Sequence, residues 1–120
     1  IGHVHAHGVS TVTGDRDEAA ALGDVLGDSA PRVPTVAAKS HFGNLGAGSG
    51  LVECIASIGA IQRGELFPLL NFENADPECP VRAARRGDPA GDCFISAAVT
   101  PQGQAAALVI RSWPGGGAAA

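Results

Sequence analysis

A chain of 120 residues can hold one small domain with its own core and is short for a two-domain enzyme. Its net charge of −4, from 8 Lys and Arg against 12 Asp and Glu, excludes a general nucleic-acid binder, which needs a clustered basic face. With four Phe, one Trp and 17 Gly, the interior must come from Ala, Val, Leu, Ile and Gly, and no apolar run reaches the roughly 18 residues of a membrane span.

Ile1 to Ala6 is short and partly β-branched and runs into His7-Gly8, which predicts a strand feeding a functional loop. Gly14-Asp15 opens an Ala-rich segment in which Asp15 and Glu18 have the spacing of a capping box, predicting a helix to about Gly27. Pro31 and Pro34 lead into Thr35-Val36-Ala37-Ala38, a buried strand before Lys39. A glycine-rich loop over 40–50 then gives way to helical spacing at Leu51, Ile55, Ile58 and Gln62, ending near Arg63-Gly64. Gly46, Gly48 and Gly50 predict tight packing at the start of this helix, and with it a central, buried helix.

Residues 68–91 carry Pro68, Pro77, Pro80 and Pro89 and read as an irregular surface excursion with one short strand at most. Arg82, Arg85 and Arg86 within it read as a solvated loop. Cys93 to Val99 and Gln104 to Arg111, separated by Thr100-Pro101-Gln102-Gly103, predict two antiparallel strands joined by a turn. The expected architecture is α/β, a mixed sheet covered by helices, over residues 1–112, truncated at its start and followed by a loose Gly/Ala tail over 113–120. Cys54, Cys79 and Cys93 lack paired spacing, which points to a reduced, cytoplasmic setting.

Three groups of residues, in order, carry a family resemblance. His7-Gly8-Val9-Ser10-Thr11 with Gly14-Asp15 and Glu18 resembles the β-ketoacyl synthase segment that bears the first catalytic histidine. Lys39-Ser40, Gly43, Asn44 and Glu53 resemble that family's lysine loop and core helix. Pro68, Asn71-Phe72 and Asp76-Pro77, then Ala107-Leu108-Val109-Ile110-Arg111, resemble its proline segment and final strand. The resemblance implies the C-terminal half of a thiolase-like fold and an enzyme that condenses an acyl thioester with malonyl-acyl carrier protein by decarboxylation, in fatty acid or polyketide synthesis. It implies no cofactor, acyl carrier protein and its acyl and malonyl thioesters as partners, and a homodimer or a ketosynthase heterodimer. The nucleophilic cysteine of the family lies in its N-terminal half; Cys54, inside the predicted core helix, lacks the helix N-terminus that lowers a thiol pKa.

Decarboxylation leaves an enolate oxygen, which needs neutral hydrogen-bond donors already aimed at it. By the resemblance His7 is the first donor. The second falls on Asn44, a departure from the family's two histidines that keeps an amide N–H and matches the Cys, His and Asn set of related condensing enzymes; its plain alternative is a helix N-cap. Lys39 and Glu53 are implied to support the donors, with an ordinary salt bridge as the alternative. Where the family has a Phe-Gly-Phe-Gly-Gly gate that gives an oxyanion-hole N–H, this chain has Val99, Thr100, Pro101, Gln102 and Gly103, and proline has no N–H to give.

Two other readings stand beside this one. A non-catalytic partner subunit, similar to a chain-length factor, fits the altered 99–103 turn. A metal hydrolase fits His3, His5 and His7, which alternate and would share one face of a strand. Acyl length and pathway are not legible.

Overall fold

The computed structural model describes residues 1–113. Five strands, β1 (His3–His5), β2 (Pro34–Val36), β3 (Arg82–Ala83), β4 (Cys93–Val99) and β5 (Ala105–Arg111), form one sheet in the order β3-β2-β1-β4-β5. The first four are parallel, and β5 returns antiparallel to β4. Three helices, α1 (Val12–Leu26), α2 (Lys39–Phe42) and α3 (Ser49–Arg63), fill the connections. The expected mixed α/β sheet and its terminal hairpin are present; the tail expected over 113–120 lies, apart from Trp113, outside the described residues.

Strand alternation decides which helix lies on which face. Val4 packs with Leu22 and Leu26 of α1 and with Val33 and Ile95, whereas His3 and His5 on either side of it reach Ser57 of α3. Val36, in register with His5, joins Ala60, Leu66, Ala84 and Ala90 in a second core on the α3 side.

Several sequence expectations need correction. The predicted capping box does not form: α1 begins after Thr11, and Glu18 points instead to the end of β1. The loop expected after Lys39 contains the short helix α2, closed by Gly43 at φ +79. A Cβ at Gly46 or Gly48 would meet nothing within 4 Å, and at Gly50 only Ala98 at 3.9 Å, so these glycines are not packing sites. Gly46 is a glycine for its φ of +60. Nor is α3 buried all round: Ser49, Glu53, Cys54, Ser57 and Ala60 face inward, while Leu51 (71% exposed), Ile55 and Ile58 face outward. Arg82 is part of β3 and pairs with Asp88 at 2.8 Å rather than lying in a solvated loop.

The close backbone approach occurs elsewhere. A Cβ at Gly2 would sit 2.5 Å from the carbonyl oxygen of Ala90, and one at Gly91, whose φ is +69, would sit 2.6 Å from Gly2 Cα. Backbone has little room to yield on either side, so Gly2→Ala should destabilise the protein by about 1–3 kcal/mol in urea unfolding. An unchanged midpoint would show that the β1–β4 approach tolerates a methyl group.

Candidate functional site

In a parallel sheet, chemistry collects beyond the carboxyl ends of the strands, where the chain leaves β structure and side chains converge from several connections. His7 lies two residues past β1 and Lys39 three past β2. The loop after His7 is tightly constrained: Gly8 has φ +50 and its Cβ position is 2.9 Å from Ala37 Cβ, and Ser10 has φ +60 without being glycine. Glu18, in the second turn of α1, clamps the loop by accepting the backbone N–H groups of His7 at 2.7 Å and Gly8 at 2.9 Å. That carboxylate clamp was hidden in the sequence behind its capping spacing.

Lys39 is the hub. Its ammonium has three protons and three acceptors: the His7 carbonyl at 2.6 Å, His7 Nδ1 at 3.2 Å, and Glu53 Oε1 in a short ion pair. An ammonium only donates, so His7 Nδ1 must accept, and a neutral His7 then carries its proton on Nε2. The pair is withdrawn from water, with Lys39 8% exposed and Glu53 fully buried. Glu53 Oε2 has no hydrogen-bond partner among the described residues.

Asn44 lies outside this hub. Its Oδ1 accepts the Gly46 N–H at 2.9 Å and the Ser49 hydroxyl at 3.0 Å, an arrangement that orders the turn into α3 rather than capping the helix, whose N-cap is Gly48. With Oδ1 so engaged, the Nδ2 amide is the group left to donate outward. Lys39, Asn44, Gly8 and Glu18 line a cavity of about 660 Å³ together with Leu69, Leu70 and Phe72 of the 68–91 excursion. Arg16 of α1 pairs with Glu78 and approaches Asp76 at 4.0 Å, tying that excursion to the helix.

The 99–103 turn extends beyond β4 at the same edge of the sheet as His7, because β4 runs parallel to β1. Its donors are used within the turn: Thr100 N–H to the Gln104 carbonyl, Gly103 N–H to the Thr100 carbonyl, and Gln104 N–H to Thr100 Oγ1. Pro101 offers none, and the Gln102 N–H has no hydrogen-bond partner among the described residues.

His3 and His5 do not join His7 as a metal triad; they meet each other through Ser57. His5 Nε2 accepts the Ala38 N–H at 3.1 Å, so its proton is on Nδ1 and goes to Ser57 Oγ at 2.7 Å. His3 Nδ1 donates to the Ala90 carbonyl at 2.8 Å, and its Nε2, 3.0 Å from Ser57 Oγ, accepts the serine proton. Every ring nitrogen is thereby used, and among the described residues no group of three His, Cys, Asp or Glu is placed to hold a metal ion. Burial lowers both imidazole pKa values; for His5, burial aided by the neighbouring His3 and Lys39 charges brings the value down to about 3. His3 also stacks on Phe94, ring centres 5.1 Å apart and planes within 10°. Composition gave no sign of this network, since alternate histidines in a strand read equally well as ligands or as surface.

Cys54 is buried within α3, Cys79 lies in the excursion, and Cys93 begins β4 at the opposite edge of the sheet from His7. None of the three meets the His7 hub through the hydrogen bonds described above.

Comparison with known proteins gives the site a setting. Residues 1–73 match the family model described as beta-ketoacyl synthase, C-terminal domain. The chain is 38% identical over 79 residues to 3-oxoacyl-[acyl-carrier-protein] synthase 2 of Synechocystis sp., covering 66% of this chain and 19% of that protein. It superposes on the ishigamide ketosynthase/chain length factor with a TM-score of 0.82 at 32% identity, covering 94% of this chain and 28% of that one. A beta-ketoacyl synthase from Burkholderia phymatum gives a TM-score of 0.75 at 28% identity, with 92% and 27% coverage. The fold is therefore that of the thiolase-like ketosynthases, and the chain spans between about a fifth and under a third of these relatives.

Proposed function

The chain belongs to the β-ketoacyl synthase C-terminal domain family, and from that premise we propose that it supplies the enolate-stabilising side of a decarboxylative condensing site acting on malonyl-acyl carrier protein and an acyl thioester. The observation that carries this reading is the contact from Lys39 Nζ to His7 Nδ1, which leaves Nε2–H as the ring's donor. A neutral donor held before charge develops stabilises an enolate oxygen without reorganisation at the moment of reaction. Asn44 is the second donor, through Nδ2, and Glu53 pairs with Lys39 and holds it in place. The nucleophilic cysteine comes from outside these 120 residues.

The same reading makes acyl carrier protein and its thioesters the partners, in a cytoplasmic homodimer or ketosynthase heterodimer. The exposed apolar faces of α3 and β5, including Leu51, Ile55 and Val109 (68% exposed), support a covering surface of that kind. Among the described residues no helix is long and apolar enough to cross a membrane.

In the intact protein, His7→Ala should lower malonyl decarboxylation by about 10²–10³-fold, as loss of one preorganised donor does. The assay is release of carbon dioxide from malonyl-acyl carrier protein. An intact protein whose rate does not respond to His7→Ala would sink the catalytic reading. It would favour a non-condensing partner subunit, which the donor-poor Pro101 turn and the likeness to a ketosynthase/chain length factor support.

A further inference from the structure

The buried His3–Ser57–His5 network lies outside the site just described, yet it ends on the residue next to Lys39. Backbone pairing between β1 and β2 stops where Ala6 N–H reaches the Val36 carbonyl. The next donor that needs a partner here is the Ala38 N–H, and the acceptor is a side chain, His5 Nε2. At this point the chain leaves the strand, turns, and starts α2 at Lys39.

The structure assigns His5 as a positioning residue for Lys39: its imidazole ends the strand ladder at Ala38 and thereby sets where the lysine side chain leaves the backbone. The assignment rests on the reading of Lys39 as the group that fixes His7. The supporting geometry converges on one helix. Glu53 of α3 holds the ammonium end of Lys39, and Ser57, one turn later on the same buried face, orients the ring that holds its backbone end. His3, anchored on the Ala90 carbonyl and stacked on Phe94, takes the Ser57 proton and so leaves Ser57 Oγ free to accept from His5. Hydrogen-bond direction is determined at every step: His5 Nδ1–H to Ser57, Ser57 O–H to His3 Nε2, His3 Nδ1–H to Ala90. Reversing the His5 tautomer would set two N–H groups against each other at Ala38, an arrangement with no acceptor.

The test uses ring ¹⁵N spectra of the intact protein together with two substitutions. Wild-type His5 and His3 should both appear as neutral Nδ1–H imidazoles with unprotonated Nε2 at pH 7; an Nε2–H tautomer at His5 overturns the assignment whatever the activity. His5→Phe keeps a ring of similar size and removes the acceptor, and should speed hydrogen exchange at the Ala38 amide and lower the decarboxylation rate, each by about tenfold, with KM little changed. His5→Gln, whose Oε1 can reach the position of Nε2, should restore both. Equal loss in the two variants would mean that His5 only fills space, and would overturn the proposal. Protected Ala38 exchange in His5→Phe would do the same. Should His5→Phe fail to fold, Ser57→Ala, which leaves the acceptor and removes its anchor, should shift the His5 ring spectrum toward a mixture of tautomers; an unchanged spectrum counts against the network. A wild-type protein that shows the expected spectra but no decarboxylation would overturn the condensing reading while leaving the link from His5 to Ala38 established.

Discussion

Glu53→Ala should destabilise the protein by about 3–5 kcal/mol, the usual result of leaving one member of a buried ion pair behind. Glu53 is fully buried and Lys39 nearly so, and the remaining acceptors of the ammonium, the His7 carbonyl and His7 Nδ1, are both neutral. Removal of the carboxylate leaves the cation in a poorly solvated place with only neutral acceptors. Without Glu53 to hold it, the Lys39 ammonium is no longer fixed against His7 Nδ1, so the variant should lose decarboxylation as well as stability. Lys39→Met combined with Glu53→Leu removes both charges and should recover much of the stability but none of the rate. Urea unfolding of Lys39→Met, Glu53→Leu and the double gives the coupling directly. Additive singles would mean the two charges do not depend on each other.

The second large effect is with acid. An unfolded chain takes up a proton at each histidine near pH 6.5, but native His5 resists protonation down to about 3, and native His3 is lowered as well. Both values are depressed on folding, so the unfolded state binds more protons below 6.5 and stability rises with pH there. Stability is thus fully present above about 6.5 and is lost as pH falls toward the native values, with His5 contributing up to about 1.4 kcal/mol per pH unit. The groups that bear on His5 are His3 from its own strand, Lys39 from α2, and the Glu53 carbonyl from α3, which opposes the shift. Asp88, held below its ordinary 3.8 mainly by the Arg85 N–H, adds its own loss only as pH falls below that value, so the histidine contribution is read at higher pH. Urea midpoints between pH 7.5 and 4.5 should fall steeply in the wild type and less steeply in His5→Gln. Parallel curves would place the acid sensitivity somewhere else.

How far the sequence revealed this molecule depends on the kind of signal. Period-2 and period-3.6 patterns and turn residues were enough for the order of strands and helices and for the β4–β5 hairpin, because these are local properties of the chain. The motif around His7 and the Lys39, Asn44 and Glu53 spacing located the candidate site, and the structure brings His7, Lys39 and Glu53 into one hydrogen-bonded group while leaving Asn44 on a neighbouring turn. The inward face of α3 was misread, since Leu51, Ile55 and Ile58 look like the core side of a helix and the side that packs on the sheet is small or polar. Hydrophobic spacing marks a face that needs covering without saying by what. Glu18 was read from its distance to Asp15, whereas its partners lie ten and eleven residues back, where no local rule looks.

The place of β1 at the middle of the sheet has a kinetic side. It precedes the other four strands in the chain, yet its register is fixed on one flank by β4, His3 lying opposite Phe94. Contacts so distant in sequence must pay for closing a long loop before they gain anything, which slows folding. Until β4 arrives, β1 can form only its ladder with β2, with one edge open to any other extended segment. Folding of this region should therefore be limited by the insertion of β4 beside a strand that lies far before it in sequence.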